Sequence, residues 1–126
     1  MAWERGSLTL KNHGRPDRSP VVVEALADAG AWHLCIPESI RLQLALEVLD
    51  SRDVTRADGT TIRVAYVGPL EVRCKNRVGC TGALVMGDQV VLGAIALADM
   101  DLVIHPTTWT VEVNPESPDL GISWAR

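Results

Sequence analysis

The sequence has no apolar run approaching the roughly 18 residues that a membrane-spanning helix needs. Its start, Met1-Ala2-Trp3-Glu4-Arg5-Gly6, sets no apolar stretch behind a basic beginning, so no secretory leader is expected. It also lacks a basic excess. Twelve Lys and Arg against 16 Asp and Glu leave a net charge of −4, which argues against nucleic acid as a partner and says little about substrate. Cysteine is scarce and odd in number. Cys35, Cys74 and Cys80 cannot all pair, which points to a reducing compartment and a cytoplasmic chain. Cys74 and Cys80 flank a turn and are near enough in sequence to meet, but the default reading leaves the thiols free. Neither C-x-x-C nor H-x-x-x-H spacing occurs among the cysteines, His33 and His105, so no metal and no cofactor is expected. Internal repeats and low-complexity tracts are absent as well.

What is present is one domain's worth of chain, 126 residues of which 47% are hydrophobic, enough for one core and too apolar for a disordered protein. The apolar runs are short and separated by turn signals, as in an all-β fold. Residues 7–11 read as a first strand, followed by a polar loop with two prolines and a glycine. Residues 21–27 are β-branched at their start and run into Asp28-Ala29-Gly30, a tight turn in which Gly30 permits backbone angles other residues resist. Residues 31–36 are apolar enough for a buried strand. Pro37-Glu38-Ser39 then starts a short helix through Leu44, although the alternation of Leu42, Leu44, Leu46 and Val48 fits a strand equally well. Asp58-Gly59 is a hairpin-turn dipeptide between strands at 52–56 and 60–67. Gly68-Pro69 punctuates the chain. Strands at 70–74, 80–86 and 90–93 follow, then a short helix at 94–98 and strands at 102–104 and 109–113. The tail from Pro115 carries two prolines and is expected to be loosely held.

Two of these elements carry chemistry when taken together. One is the apolar strand ending in Asp28-Ala29-Gly30-Ala31, and the other, some sixty residues on, is Val91-Leu92-Gly93 with a short helix behind it. Alone, the first reads as an ordinary turn and the second as a strand ending. A carboxylate on a tight turn at the end of a buried strand is held rigidly and partly shielded, and can activate a water molecule.

In the order of these elements the chain resembles the retropepsin-like aspartic proteases, and especially their small bacterial members, over residues 7–114. Residues 23–31 match the strand and catalytic turn, normally Asp-Thr-Gly or Asp-Ser-Gly followed by alanine. Ala57-Asp58-Gly59 falls where the family has its substrate flap, and residues 70–86 match the two strands after it. Val91-Leu92-Gly93 matches the element that supports the catalytic turn, and residues 91–106, with Asp99-Met100-Asp101-Leu102-Val103-Ile104, are similar to the bacterial members.

The resemblance implies an acid-protease barrel with one lobe per chain and one or two short helices, occupying residues 1–114 ahead of a tail at 115–126. It implies an aspartic endopeptidase that uses neither metal nor covalent intermediate. Asp28 would be the catalytic carboxylate in the loop Ala29, Gly30 and Ala31, and two carboxylates would share a proton around one water. The only other Asp-x-Gly, Asp119-Leu120-Gly121, lies in the tail with no apolar strand leading into it. One carboxylate per chain therefore implies a homodimer acting on a peptide or protein substrate at acidic to near-neutral pH. Trp32 and Trp109 read as core or dimer contacts.

One position departs from the family. Ala29 stands where a threonine or serine hydroxyl would bond across the dimer axis, which implies weakened activity. It also admits a second function, a peptide-binding or assembly module with impaired hydrolysis. A third reading is an all-β module whose Asp-x-Gly is coincidental.

Overall fold

The structure is a computed structural model that describes residues 4–104 and 111–125. Among these residues it forms nine strands and two short helices in one mostly β domain. The strands are β1 (Glu4–Asn12), β2 (Val21–Ala27), β3 (Leu34–Ile36), β4 (Glu47–Thr55), β5 (Thr61–Cys74), β6 (Arg77–Val85), β7 (Val90–Leu92), β8 (Leu102–Ile104) and β9 (Val111–Val113). The helices are α1 (Glu38–Leu44) and α2 (Ala94–Asp99).

Six strands close into a barrel in the order β1-β2-β7-β3-β6-β5, with β5 returning to β1 through Thr9↔Arg73 to Asn12↔Leu70. Closure follows from alternation. Leu8 and Leu10 of β1, Ala25 and Ala27 of β2, and Val72 and Cys74 of β5 all point inward and are buried. Their neighbours Thr9, Lys11, Arg73 and Lys75 keep some or all of their surface in water. Leu34, Ile36, Ala83 and Leu92 belong to the same core, as do Leu44, Ala96, Leu97 and Met100. β4 stands outside the barrel, paired only with β5 as a long hairpin arm. β8 and β9 form a separate two-stranded ribbon.

Several sequence expectations change in detail. The alternation at 42–48 resolves into both alternatives. The helix ends at Leu44, Ala45 takes the left-handed conformation at φ 52°, and β4 begins at Glu47, well before the strand expected at 52. Gly68-Pro69 does not break the chain. β5 runs through its cis peptide bond with a register shift between Val67 and Leu70, and the buried face passes from residue 67 to residues 70, 72 and 74. β3 is only three residues long, and the carbonyl oxygens of Ala31 and Trp32 ahead of it are bound by the N–H groups of Ala94 and Ile95.

The tail is not loose. Asp101 accepts hydrogen bonds from the Asn114 amide at 3.1 Å, the Ile122 N–H at 3.0 Å and the Ser117 hydroxyl. Buried Arg77 donates to the Ser117 carbonyl oxygen, and Asn76 donates to that of Pro118 at 2.8 Å. The Ser117 hydroxyl first, then the Ile122 N–H and the Asn114 amide, hold the Asp101 carboxyl down at about 2. The two prolines thus lie in a segment fixed by polar anchors that composition does not reveal. Cys74 is buried and Cys80 exposed, on opposite faces of the β5–β6 hairpin, and all three thiols are free. His105 and residues 109–110 of the last expected strand lie outside the described residues.

Candidate active site

The turn after β2 is tied to the chain segment that enters α2. Asp28 N–H donates to Leu92 O at 3.0 Å, extending the parallel β2–β7 pairing by one residue. Asp28 O accepts from Ala31 N–H at 3.1 Å, which closes the turn. Ala94 and Ile95 then donate their N–H groups to the carbonyl oxygens of Ala31 and Trp32, at 2.8 and 3.0 Å. The first turn of α2 therefore finds its hydrogen-bond acceptors on the loop that carries Asp28.

Both glycines of this arrangement serve close approach. A β-carbon on Gly93 would lie 2.6 Å from His33 O and 2.8 Å from Trp32 O, so the two segments touch only because position 93 has none. Gly30 is not in the left-handed region, contrary to the expectation from sequence. Its N–H donates to Asp28 Oδ1 at 2.9 Å, and a β-carbon there would lie 3.1 Å from that same oxygen. Its role is to leave one face of the carboxylate uncrowded.

Asp28 borders a cleft of about 690 Å³. The floor is a row across four strands, Leu26, Val91, Cys35 and Leu84, set side by side by the register of β2, β7, β3 and β6. Ala31, Trp32 and His33 continue the rim beyond Asp28, while Met86, Asp88 and Gln89 line the other end. The β4–β5 hairpin contributes Arg52, Asp53, Val54, Thr55, Arg56 and Ala57. Burial pushes the Cys35 thiol above its ordinary range, which keeps it neutral and makes it part of the apolar floor.

The residues singled out from the sequence thus divide. Asp28, Gly30, Ala31, Ala57 and Val91 line the cleft. Ala29 is exposed beside it, while Leu92 and Gly93 lie behind the turn and hold it. Val91 faces the cleft itself, where the sequence reading had it backing the turn. Asp58 and Gly59 form the hairpin tip. Gly59 has φ 87°, and the Asp58 carboxylate accepts the Thr60 N–H at 2.9 Å and the Thr60 hydroxyl at 2.6 Å. These bonds, hydroxyl first, hold the Asp58 carboxyl below its usual range. Of Asp119-Leu120-Gly121, Gly121 lies against Arg77 and Asp101 in the anchored tail, and Leu120 is exposed.

Sequence reasoning missed the hairpin arginines and the role of Tyr66. The Tyr66 ring lies against Gly82, receives the Arg52 guanidinium at 4.3 Å from its centroid, and meets the edge of His33 at 6.2 Å. Alternation of Arg52, Val54 and Arg56 ahead of the turn dipeptide was the available signal. Among the described residues no three His, Cys, Asp or Glu side chains group as metal ligands would, and no helix is long and apolar enough to cross a membrane. No protein-family model matches the chain, and no curated protein matches it either.

Proposed function

We propose that the chain is an aspartic endopeptidase that hydrolyses peptide bonds as a homodimer, with the two Asp28 carboxylates facing one another across the axis. The observation that carries this reading is the anchoring of Asp28. The residue sits on a turn tied to Leu92, Ala94 and Ile95, with one carboxylate oxygen engaged by Gly30 N–H, at the edge of a largely apolar cleft beneath a hairpin arm. A carboxylate so held has a fixed orientation.

The partner carboxylate comes from a second chain. The surface beside Asp28 supports this, because Ala29 and Gly30 are exposed and Trp32 and Ile95 leave 74% and 42% of their surfaces uncovered. Close carboxylates do not both ionise, so one is charged and the other protonated. The charged group takes a proton from water as the water oxygen adds to the peptide carbonyl carbon. The protonated group gives its proton to the carbonyl oxygen. Collapse of the tetrahedral species breaks the C–N bond and sends a proton to the leaving nitrogen.

Ala29 favours one competing reading, a peptide-binding module with impaired hydrolysis, because position 29 lacks the hydroxyl that would join the two turns. Digestion of an unbiased peptide library between about pH 3.5 and about pH 7.5, with Asp28→Asn in parallel, separates the two. Cleavage lost in the variant supports the peptidase. Peptide binding without cleavage supports the module.

A further inference from the structure

The hairpin arm carries three arginines, and they differ in a way that follows their direction. Arg63 is not among the cleft-lining residues and is bound to a carboxylate, with Nε 2.9 Å from Asp53 Oδ1. Arg52 and Arg56 line the cleft, and among the described residues neither donates a hydrogen bond to a carboxylate, although the charge of Arg56 helps to lower the Asp58 carboxyl at the hairpin tip. Arg56 Nε donates to the Thr60 hydroxyl at 3.0 Å. Arg52 forms an ion pair with exposed Asp50 at 3.6 Å, longer than that of Arg63, and its side chain is 42% exposed. Stacking on Tyr66, which is itself lodged against Gly82, fixes that guanidinium in place.

Position and spacing matter as much as charge. Residues 52, 54 and 56 alternate along one face of the arm, with half-buried Val54 between the two cations. At about 3.3 Å per residue the arginines stand roughly 13 Å apart along the strand direction, matching residues four apart in an extended peptide. The other charged side chains of the cleft do not cancel them. Asp53 is held by Arg63, and Asp28 is the proposed catalytic group. Asp88 lies before β7, at the end of that strand away from Asp28, while His33 stands with Arg52 on Tyr66.

We infer that the cleft selects extended peptides in which an apolar residue is flanked, two positions away on each side, by Asp or Glu, the apolar side chain meeting Val54 and the carboxylates meeting Arg52 and Arg56. The inference rests on the peptidase reading for its setting and adds the substrate class. It is not what net charge suggests, since the chain as a whole is acidic at −4.

The test uses full-length Asp28→Asn protein, which retains the cleft without turnover, and three fluorescent decapeptides. Each has a central Leu with Glu, Gln or Lys two positions away on both sides. Anisotropy titration is expected to give Glu-peptide affinity about tenfold or more above the Gln peptide, decreasing with added salt. Adding R52Q and R56Q is expected to abolish that preference, and R52E with R56E to transfer it to the Lys peptide. Equal binding of the Glu and Gln peptides, a preference that survives both Gln substitutions, or no binding of any peptide overturns the inference. Wild-type digestion reports separately on the peptidase. Acid-selective binding without Asp28-dependent cleavage sinks the peptidase alone, and cleavage indifferent to flanking acids sinks the acidic-substrate inference alone.

Discussion

The carbonyl oxygen of His33 stands 2.6 Å from the point where a β-carbon on Gly93 would be. That contact joins the loop carrying Asp28 to the entry of α2, and a methyl group there must push backbone aside. Gly93→Ala is therefore expected to destabilise the fold by about 1–3 kcal/mol, as overpacking against unyielding atoms does. It is also expected to move the Asp28 loop. Urea denaturation reads the first effect, and peptide affinity for the folded fraction reads the second. An unchanged denaturation midpoint refutes the close-approach account of this glycine.

Much of the barrel was legible because strand alternation records inward and outward faces directly. Residues 21–27, 90–92 and 102–104 could be read as strands from their apolar runs alone, and Asp58-Gly59 marked its hairpin. The boundaries that resisted reading depend on contacts distant in sequence. The shift at Val67 to Leu70 falls where β5 leaves β4 for β1 while β6 stays beside it, and the end of α1 depends on a side chain 32 residues earlier. Asp28 was legible through its turn. The cleft cations were not, since the alternation of Arg52, Val54 and Arg56 is also that of an ordinary solvated strand face, and only the cleft lining and the Tyr66 contact set them apart.

That distant side chain is Asn12, a polar residue on the inward face of β1 and only 3% exposed. Its amide donates to the carbonyl oxygens of Leu44 and Ala45 at 2.8 and 3.2 Å, and its own oxygen accepts Gly14 N–H at 2.9 Å. Asn12→Ala leaves two helix-end carbonyls and one N–H without these partners, so a loss of about 1–3 kcal/mol is expected. Asn12→Asp is expected to be worse, because a carboxylate would face those carbonyls. Thermal unfolding of both variants checks the order. At the same helix end Ala45 has φ 52°, and Ala45→Gly is expected to stabilise by up to about 1 kcal/mol.

Acid should release the tail. The Asp101 carboxyl is depressed to about 2 from an ordinary 3.8, so the folded state binds its proton less readily than the unfolded chain does. Its contribution is complete above pH 3.8 and is lost as pH falls from there through about 2. Asp101→Asn is expected to lower stability at neutral pH and to flatten the loss across that acid window. Denaturation midpoints measured against pH test both. A variant as acid-labile as the parent places the titrating group elsewhere.

Ala29→Thr tests the proposed dimer most directly. Ala29 is exposed at the turn, so a threonine enters without disturbing the core. In the proposed dimer each new hydroxyl bonds to the opposite turn. Two neutral hydrogen bonds at about 0.5–1.5 kcal/mol each would tighten association roughly fivefold to 150-fold. Sedimentation of the two proteins over a concentration series measures that change without reference to chemistry. Turnover per dimer is expected to rise as well, because both carboxylates become better fixed. Tighter dimers without any Asp28-dependent cleavage would favour the binding module. If neither association nor turnover changes, the two turns do not meet across an axis, and the homodimeric site loses its support.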